Sequence, residues 1–322
     1  MDFFNSAFGK NITFIHPAYF IISGFTGIPN IKYYYVFLFL VYIASVLGNA
    51  VVMVVIYLDH NLRTPKYIAV FNLAFVDLLS NTVLVPKVID IFLFNHFIIP
   101  YIDCLVFCFF SYTCLSMQAL NLVALSCDRV VAIMFPLHYH TKITNRSMFS
   151  LMGYFWLFVV VAVLTSVALL TRLTFCNSVV INSYFCDYGQ IFEMACNDYF
   201  PNVVISYLLR FLILWVPLLV ILSSYFCIGY ALAKVASFQE RAKALKTCTS
   251  HISLVAMYFF PVIITFTRGP QIHPNARIIN LSLTSIFPPM LNPIIYVLQT
   301  QEIKNSLKKM LEIRNQIQSI FK

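Results

Sequence analysis

Two neighbouring charges, Asp128 and Arg129, end a long apolar stretch, Leu125-Ser126-Cys127-Asp128-Arg129-Val130-Val131-Ala132-Ile133. Only 10% of the 322 residues are Asp, Glu, Lys or Arg, against roughly 25% in a soluble domain. A charge pair at the rim of an apolar helix is costly and marks a functional site. The plainer reading is that Arg129 is an interfacial anchor whose head reaches the headgroup layer. Asn49, Asp77, Asn292 and Tyr296 interrupt four other apolar runs and must find partners inside a bundle. Asp77 is the costliest of them. It could hold a cation or a proton, or accept hydrogen bonds from Asn49 and Asn292. Arg210 stands two turns before Pro217, and Lys87 directly follows Pro86. A buried guanidinium calls for an anion, either an acidic ligand or an internal carboxylate such as Asp90, Asp103, Asp187 or Glu193.

None of this resembles a catalytic constellation. There is no His-Glu-x-x-His, Walker loop, Gly-rich fingerprint or G-x-S-x-G, and the seven histidines have no ligand-like spacing. No enzyme activity and no cofactor are implied.

The elements that position these residues are membrane helices. The chain is 61% hydrophobic with a mean hydropathy of +0.84. Apolar runs of about 18 residues or more read as membrane spans. Seven occur, at 33–58, 67–93, 104–127, 149–171, 203–233, 252–267 and 278–298, the last two interrupted by prolines and polar residues. The expected architecture is an all-α bundle of seven transmembrane helices at 33–298, with an N-terminal segment at 1–32 and a tail at 299–322. Met1-Asp2-Phe3-Phe4-Asn5 lacks a basic region ahead of an apolar core, so no cleavable signal peptide is expected.

The net charge of +9 would suggest nucleic acid in a soluble protein, but its distribution argues otherwise. Basic residues crowd one side of the spans, at Arg63, Lys66, Arg129, Lys142, Arg146, Lys234 and the run from Arg241 to Lys246, and again in the tail. The other side holds Lys10, Lys32, Arg172, Arg268 and Arg277. By the positive-inside rule the crowded side is cytoplasmic and the N-terminus is outside. The basic rim suits anionic membrane lipids and an acidic protein partner.

On the outer side, Asn11-Ile12-Thr13 is a glycosylation sequon. Cys104, Cys176, Cys186 and Cys196 share that side, where an oxidising exterior permits disulfides. Four cysteines allow three pairings, and any of them would pin the long fourth loop as a lid. Cys108, Ser111, Tyr112, Leu115 and Ser116 lie at helical spacing along the third span. Phe259, Val262, Ile263 and Phe266 do so along the sixth. Such apolar stripes with a few polar groups build ligand pockets, and equally build ordinary helix packing. Pro86, Pro217, Pro261 and Pro293 each remove a backbone donor and can kink a helix. Beyond the last span, Ile303, Leu307, Met310 and Leu311 share one face of a lysine-rich stretch, as a short amphipathic helix on the inner leaflet would.

These residues together resemble the rhodopsin-like (class A) G-protein-coupled receptors, and within them the vertebrate odorant receptors. Gly48-Asn49, Leu73-Ala74 with Asp77, Trp156, Pro217 with Tyr225, and Asn292-Pro293-Ile294-Ile295-Tyr296 match the general receptor pattern. Four stretches are odorant-receptor-like: Leu62-Arg63-Thr64-Pro65-Lys66-Tyr67, Val85-Pro86-Lys87, the run from Lys243 to Ile252, and Pro289-Met290-Leu291-Asn292-Pro293 continuing to Lys304. The opening stretch His16-Pro17-Ala18-Tyr19-Phe20 is similar to a fish-like branch.

The resemblance implies roles. Cys104 would pair with Cys186 and Cys176 with Cys196. Asp128 would restrain Arg129 until activation frees it for a heterotrimeric G protein of the stimulatory, olfactory type, which raises cyclic AMP. Tyr225, Tyr296, Asn292 and Pro293 would support that switch, and Asn49, Asp77, Gln118 and Asn292 would form an intramembrane polar network. A small-molecule odorant would bind among the outer halves of helices three, five, six and seven, near Cys108, Ser111, Tyr112, Leu115, Ser116, Arg210, Phe259, Ile263 and Phe266. The chain also departs from the pattern. Cys127 and Val130 flank the charge pair in place of the usual tyrosines. Gln118 stands where many relatives place an acid, which argues against a sodium ion beside Asp77. The helix-six motif reads Tyr258-Phe259-Phe260, and Arg241 occupies the position of an acid that elsewhere holds Arg129. The alternatives are a non-olfactory class A receptor for a small metabolite, or a transporter, which should show an internal repeat that is not seen.

Overall fold

In hydrocarbon no water is available to bond N–H and C=O groups, and a helix satisfies them within its own segment. The computed structural model describes residues 17–176, 178–234, 238–268 and 272–320, and seven long helices among them form a bundle. They are α1 (Lys32–Leu58), α2 (Pro65–Leu93), α3 (Tyr101–Met134), α4 (Asn145–Leu170), α5 (Phe200–Ala233), α6 (Phe238–Arg268) and α7 (Pro274–Gln299). All but α6 contain a stretch long and apolar enough to cross a membrane, in α7 within Pro274–Val297, and α6 carries the shorter apolar stretch His251–Thr267. It also begins well before that stretch, because its polar first turns continue the same backbone.

Each helix buries one stripe and leaves the other apolar residues outward. In α1 the buried set includes Leu38, Val41, Ser45, Asn49, Val52 and Ile56, at spacings of three and four. Leu40, Leu47 and Tyr57 are exposed on the same helix, as an acyl-chain environment allows. α3 runs through the centre and contributes the longest buried series, from Tyr101 to Asp128.

Local chemistry sets the ends and bends. Thr144 opens α4 with a capping box: the Ser147 N–H donates to Thr144 Oγ1 at 3.1 Å, and the Thr144 N–H donates to Ser147 Oγ at 3.0 Å. Pro65 takes the first position of α2, where its missing N–H costs nothing. Pro217 cannot donate to the Ile213 carbonyl one turn back, and Phe211–Trp215 widen into a π turn just ahead of it.

An all-α expectation misses a small sheet at one end of the bundle. β1 (Tyr19–Ile22) lies between β2 (Ile98–Pro100) and β3 (Val180–Ile181). β1 pairs antiparallel with β2, with Phe20 opposite Ile99, and parallel with β3, with Ile22 opposite Ile181. Phe20, Ile22, Ile99 and Ile181 are fully buried, so the segment before α1 is stitched beneath the loop that follows α4.

At the opposite end, α8 (Gln301–Ile320) follows α7 after a single residue. It is longer than the short amphipathic helix expected from its apolar face. Ile303 is fully buried, and Leu307 and Met310 pack beside it on a cluster with Tyr67 and Val70. The Leu311 side chain and Asn11 lie outside the described residues.

Candidate functional site

Two disulfides tie down the loop after α4. Cys104, in the first turn of α3, is bonded to Cys186 with a Cα–Cα distance of 5.6 Å, and Cys176 is bonded to Cys196 at 5.9 Å. Asp187 follows Cys186 directly, so the first bridge holds its carboxylate over the bundle mouth. There it forms a buried ion pair with Arg277 of α7. It also accepts a hydrogen bond from the Tyr112 hydroxyl at 3.2 Å and from the Gly189 N–H at 3.0 Å. Burial pushes the nearby Tyr188 phenol up to about 12 and raises the carboxyl of Glu193, with the charge of Asp187 adding to the latter. Tyr188 therefore stays neutral, and its hydroxyl accepts a hydrogen bond from Asn202 at 3.2 Å.

Beneath this lid is a cavity of about 710 Å³, within the range of pockets for small organic ligands. Its wall combines Cys108, Tyr112, Leu115 and Ser116 of α3 with Arg210 and Leu214 of α5, Tyr258, Val262 and Phe266 of α6, and Arg277 of α7. α4 also contributes, through Val163 and Ser166, a wall that the sequence reading does not include. Tyr112 and Leu115 separate it from a smaller space of about 40 Å³ that Ser111, Gln118 and Ser285 line.

Two residues expected at the pocket, Phe259 and Ile263, face elsewhere. Phe259 and Ile263 line neither space. Tyr258, Val262, Thr265 and Phe266 face inward at spacings of four, seven and eight, and Phe259 and Ile263 sit one step further, about 100° around the helix. Phe259 is instead packed with Leu122, Ile221 and Leu254, and Ile263 lies against that cluster. Tyr258 takes the inward place, and its hydroxyl donates to the Leu115 carbonyl at 2.5 Å.

The polar residues described in the bundle form three groups rather than one. Asp77 is fully buried and accepts from Gln118 Nε2 at 2.9 Å and from Asn292 Nδ2 at 2.6 Å. Asn49 does not reach it. Its amide donates to the Ser45 carbonyl at 2.9 Å and to the Pro289 carbonyl at 2.8 Å. Trp156 donates to Asn72 at 3.0 Å, and Asn72 donates to Asn121 at 2.8 Å, which joins α4, α2 and α3.

At the far end of α3, Asp128 accepts from the Tyr139 hydroxyl at 2.6 Å. Tyr139 belongs to the short helical turn Tyr139–Lys142. Among the described residues no ion pair joins Asp128 to Arg129. Arg129 lies at the edge of an open space of about 510 Å³ with Lys66, Tyr67, Tyr139 and Glu302 around it. Tyr225 is hydrogen-bonded to His251 across α5 and α6, and the half-buried Tyr296 lies in the same region. α8 is held by the contact of the Tyr67 hydroxyl with Glu302, by Lys66–Glu302 at 3.5 Å, and by the contact of Ser306 with Asp59. At the opposite end of α2, Lys87 finds an internal acid, Asp90, at 3.0 Å.

Sequence reasoning misses Asp187 and Arg277 as a pair, Tyr139 as the partner of Asp128, and His251 as the partner of Tyr225. Each pair spans distant segments or depends on a loop conformation that no local pattern encodes.

A model of the olfactory receptor family matches residues 38–314. The chain belongs to the olfactory receptor family. Olfactory receptor 1E2 of Pan troglodytes is 34% identical over 276 residues, which is 84% of this chain and 86% of that receptor. Olfactory receptor 8G17 of Mus musculus is 34% identical over 297 residues, 91% of this chain and 96% of that receptor. Squid rhodopsin is similar in structure, with a TM-score of 0.69 and 19% identity, covering 89% of this chain and 87% of that one. The chain is thus a receptor and not an enzyme. Membership of this family implies a multi-pass plasma-membrane protein that takes a small-molecule ligand and works through a heterotrimeric G protein.

Proposed function

We propose that this receptor binds a small odorant in the cavity beneath the disulfide-pinned loop and activates a stimulatory, olfactory-type G protein, raising cyclic AMP. One observation carries the reading. The cavity and the Arg129 region lie at opposite ends of the same helix, α3, whose Tyr112, Leu115 and Ser116 line the first and whose Arg129 borders the second. A ligand that favours one arrangement of α3, α5 and α6 shifts the population of that arrangement. The N-terminus is outside, since the basic residues crowd the Arg129 end.

The test is a cyclic AMP assay in cells displaying the receptor, run on a broad set of small volatile molecules. Arg129→Ala at equal surface abundance is expected to lose the ligand-driven signal. Full signalling by that variant would remove Arg129 from the coupling machinery. Ligand-driven signalling without cyclic AMP would replace the stimulatory type with another. Antibody access to an N-terminal tag on intact cells checks the orientation.

A further inference from the structure

We propose that the main cavity takes a monocarboxylate with an apolar body, and that Arg210 receives its charge. The proposal rests on the receptor reading only in treating this cavity as the ligand site.

Two guanidinium groups line the cavity, Arg210 and Arg277, and they differ in one respect. Arg277 is neutralised by Asp187. Arg210 forms no ion pair with any described residue, although Asp187 and Glu193 also line the cavity. Its contacts are the Phe266 carbonyl at 3.3 Å and the rings of Tyr207 and Phe266, whose centroids lie 5.0 and 5.3 Å away. A carbonyl and two ring faces hold the guanidinium in place and leave its charge uncompensated. A charge within a membrane span is stable only with a partner or with water, and an incoming carboxylate supplies one through paired, charge-assisted hydrogen bonds.

Position and surroundings narrow the class further. Arg210 is about a third of the way along α5, three turns in from its first residue, and the π turn Phe211–Trp215 begins at the next residue, a feature common at functional sites. Ser206, one turn earlier, also lines the cavity and offers a hydroxyl beside the charge. Val203, Ile213, Leu214 and Val262 make the adjoining wall apolar. Glu193 lines the cavity as well but forms no ion pair with Arg210 among the described residues, so the guanidinium itself is open to a single incoming negative charge. A dianion would bring a second negative charge toward Asp187 and Glu193, and an amine would leave Arg210 without a partner.

The test uses the full-length receptor in lipid nanodiscs near neutral pH. Hexanoate, octanoate and decanoate are each compared with the alcohol and the amine of the same chain length, with thermal stabilisation as the binding readout. At least one carboxylate is expected to reach half-saturation at a concentration about tenfold below that of its alcohol, as one charge-assisted hydrogen bond would give. Arg210→Leu and Arg210→Gln should erase the difference between acid and alcohol, and a cooperative melting transition of each ligand-free variant reports that it is folded. Arg210→Lys should keep part of it. The site is overturned if no carboxylate binds, if acids and alcohols bind alike, or if the preference survives Arg210→Leu. Loss of the preference in Arg277→Gln with its retention in Arg210→Leu overturns it as well. G-protein nucleotide exchange driven by neutral molecules while carboxylates stay silent refutes the anion site and leaves the receptor reading standing. Carboxylate binding at Arg210 without nucleotide exchange does the reverse.

Discussion

Pro293 has no N–H, so the Pro289 carbonyl one turn earlier has no donor within α7. Asn49 supplies it from α1, at 2.8 Å. Such an approach needs the two backbones close together, and Gly48 permits it: a Cβ there would lie 3.0 Å from Pro293 Cβ and 3.1 Å from its Cγ. Three residue types with different defects, one lacking a donor, one lacking a side chain and one carrying an amide, thus form a single joint. A larger residue at 48 has to push α7 away and break it. Gly48→Val is expected to lower the thermal stability of the purified receptor by about 1–3 kcal/mol, the usual cost of overpacking. An unchanged melting temperature would mean that α1 and α7 separate without penalty. The same logic explains Asp77. Buried without a cation partner among the described residues, it takes two amide donors, the minimum that keeps such a group from being left unsatisfied.

At the scale of elements, α8 and the lid are both held by a few specific contacts. The hydroxyl of Tyr67 holds the Glu302 carboxyl below its usual range, with Lys66 assisting. The Ser306 hydroxyl and the Asn61 N–H do the same for Asp59. Carboxyls depressed in the folded state contribute stability above their unfolded pKa of about 4, and that contribution disappears as pH falls through the lower folded values. Docking of α8 is therefore expected to be constant from neutral pH down to about 5 and to weaken below about 4. Hydrogen exchange of the α8 amides measures it. Loosening that begins near pH 6 would point to histidine instead. The lid is built differently: two covalent bridges and a three-stranded sheet hold the loop, and Asp187 then ties it to α7. A lid fixed at so many points leaves ligand selection to the cavity wall more than to loop movement.

For the whole molecule, the proposed coupling role of Arg129 makes the balance between resting and signalling forms depend on what restrains it. In the structure Asp128 is engaged by Tyr139, and among the described residues no ion pair joins Asp128 to Arg129. That role predicts a weakly held resting form, with basal signalling above that of mock-transfected cells. Removing the Tyr139 hydroxyl frees Asp128 to pair with Arg129. Tyr139→Phe should accordingly lower basal cyclic AMP by a factor of a few, the effect of about 1 kcal/mol on a two-state equilibrium. A rise in basal activity would show that Tyr139 supports the resting form.

By itself the sequence determined the seven helices, their bundle, the outward apolar faces and the four cysteines on one side, because hydrophobic length and local backbone chemistry are encoded residue by residue. Helical spacing also marked Cys108, Tyr112, Leu115 and Ser116 on α3 and Val262 and Phe266 on α6, and its charge within a span marked Arg210, all of which line the main cavity. Only the tertiary structure decided the rest. A rotation of one residue on α6 exchanged Phe259 for Tyr258, and which face of that helix turns inward depends on its neighbours. The pairing of Asp187 with Arg277 joins residues 90 apart in the chain, and among the described residues it leaves Arg210 in the same cavity without an ion pair. Such choices follow from packing several helices and a loop together at once, and no local pattern contains them.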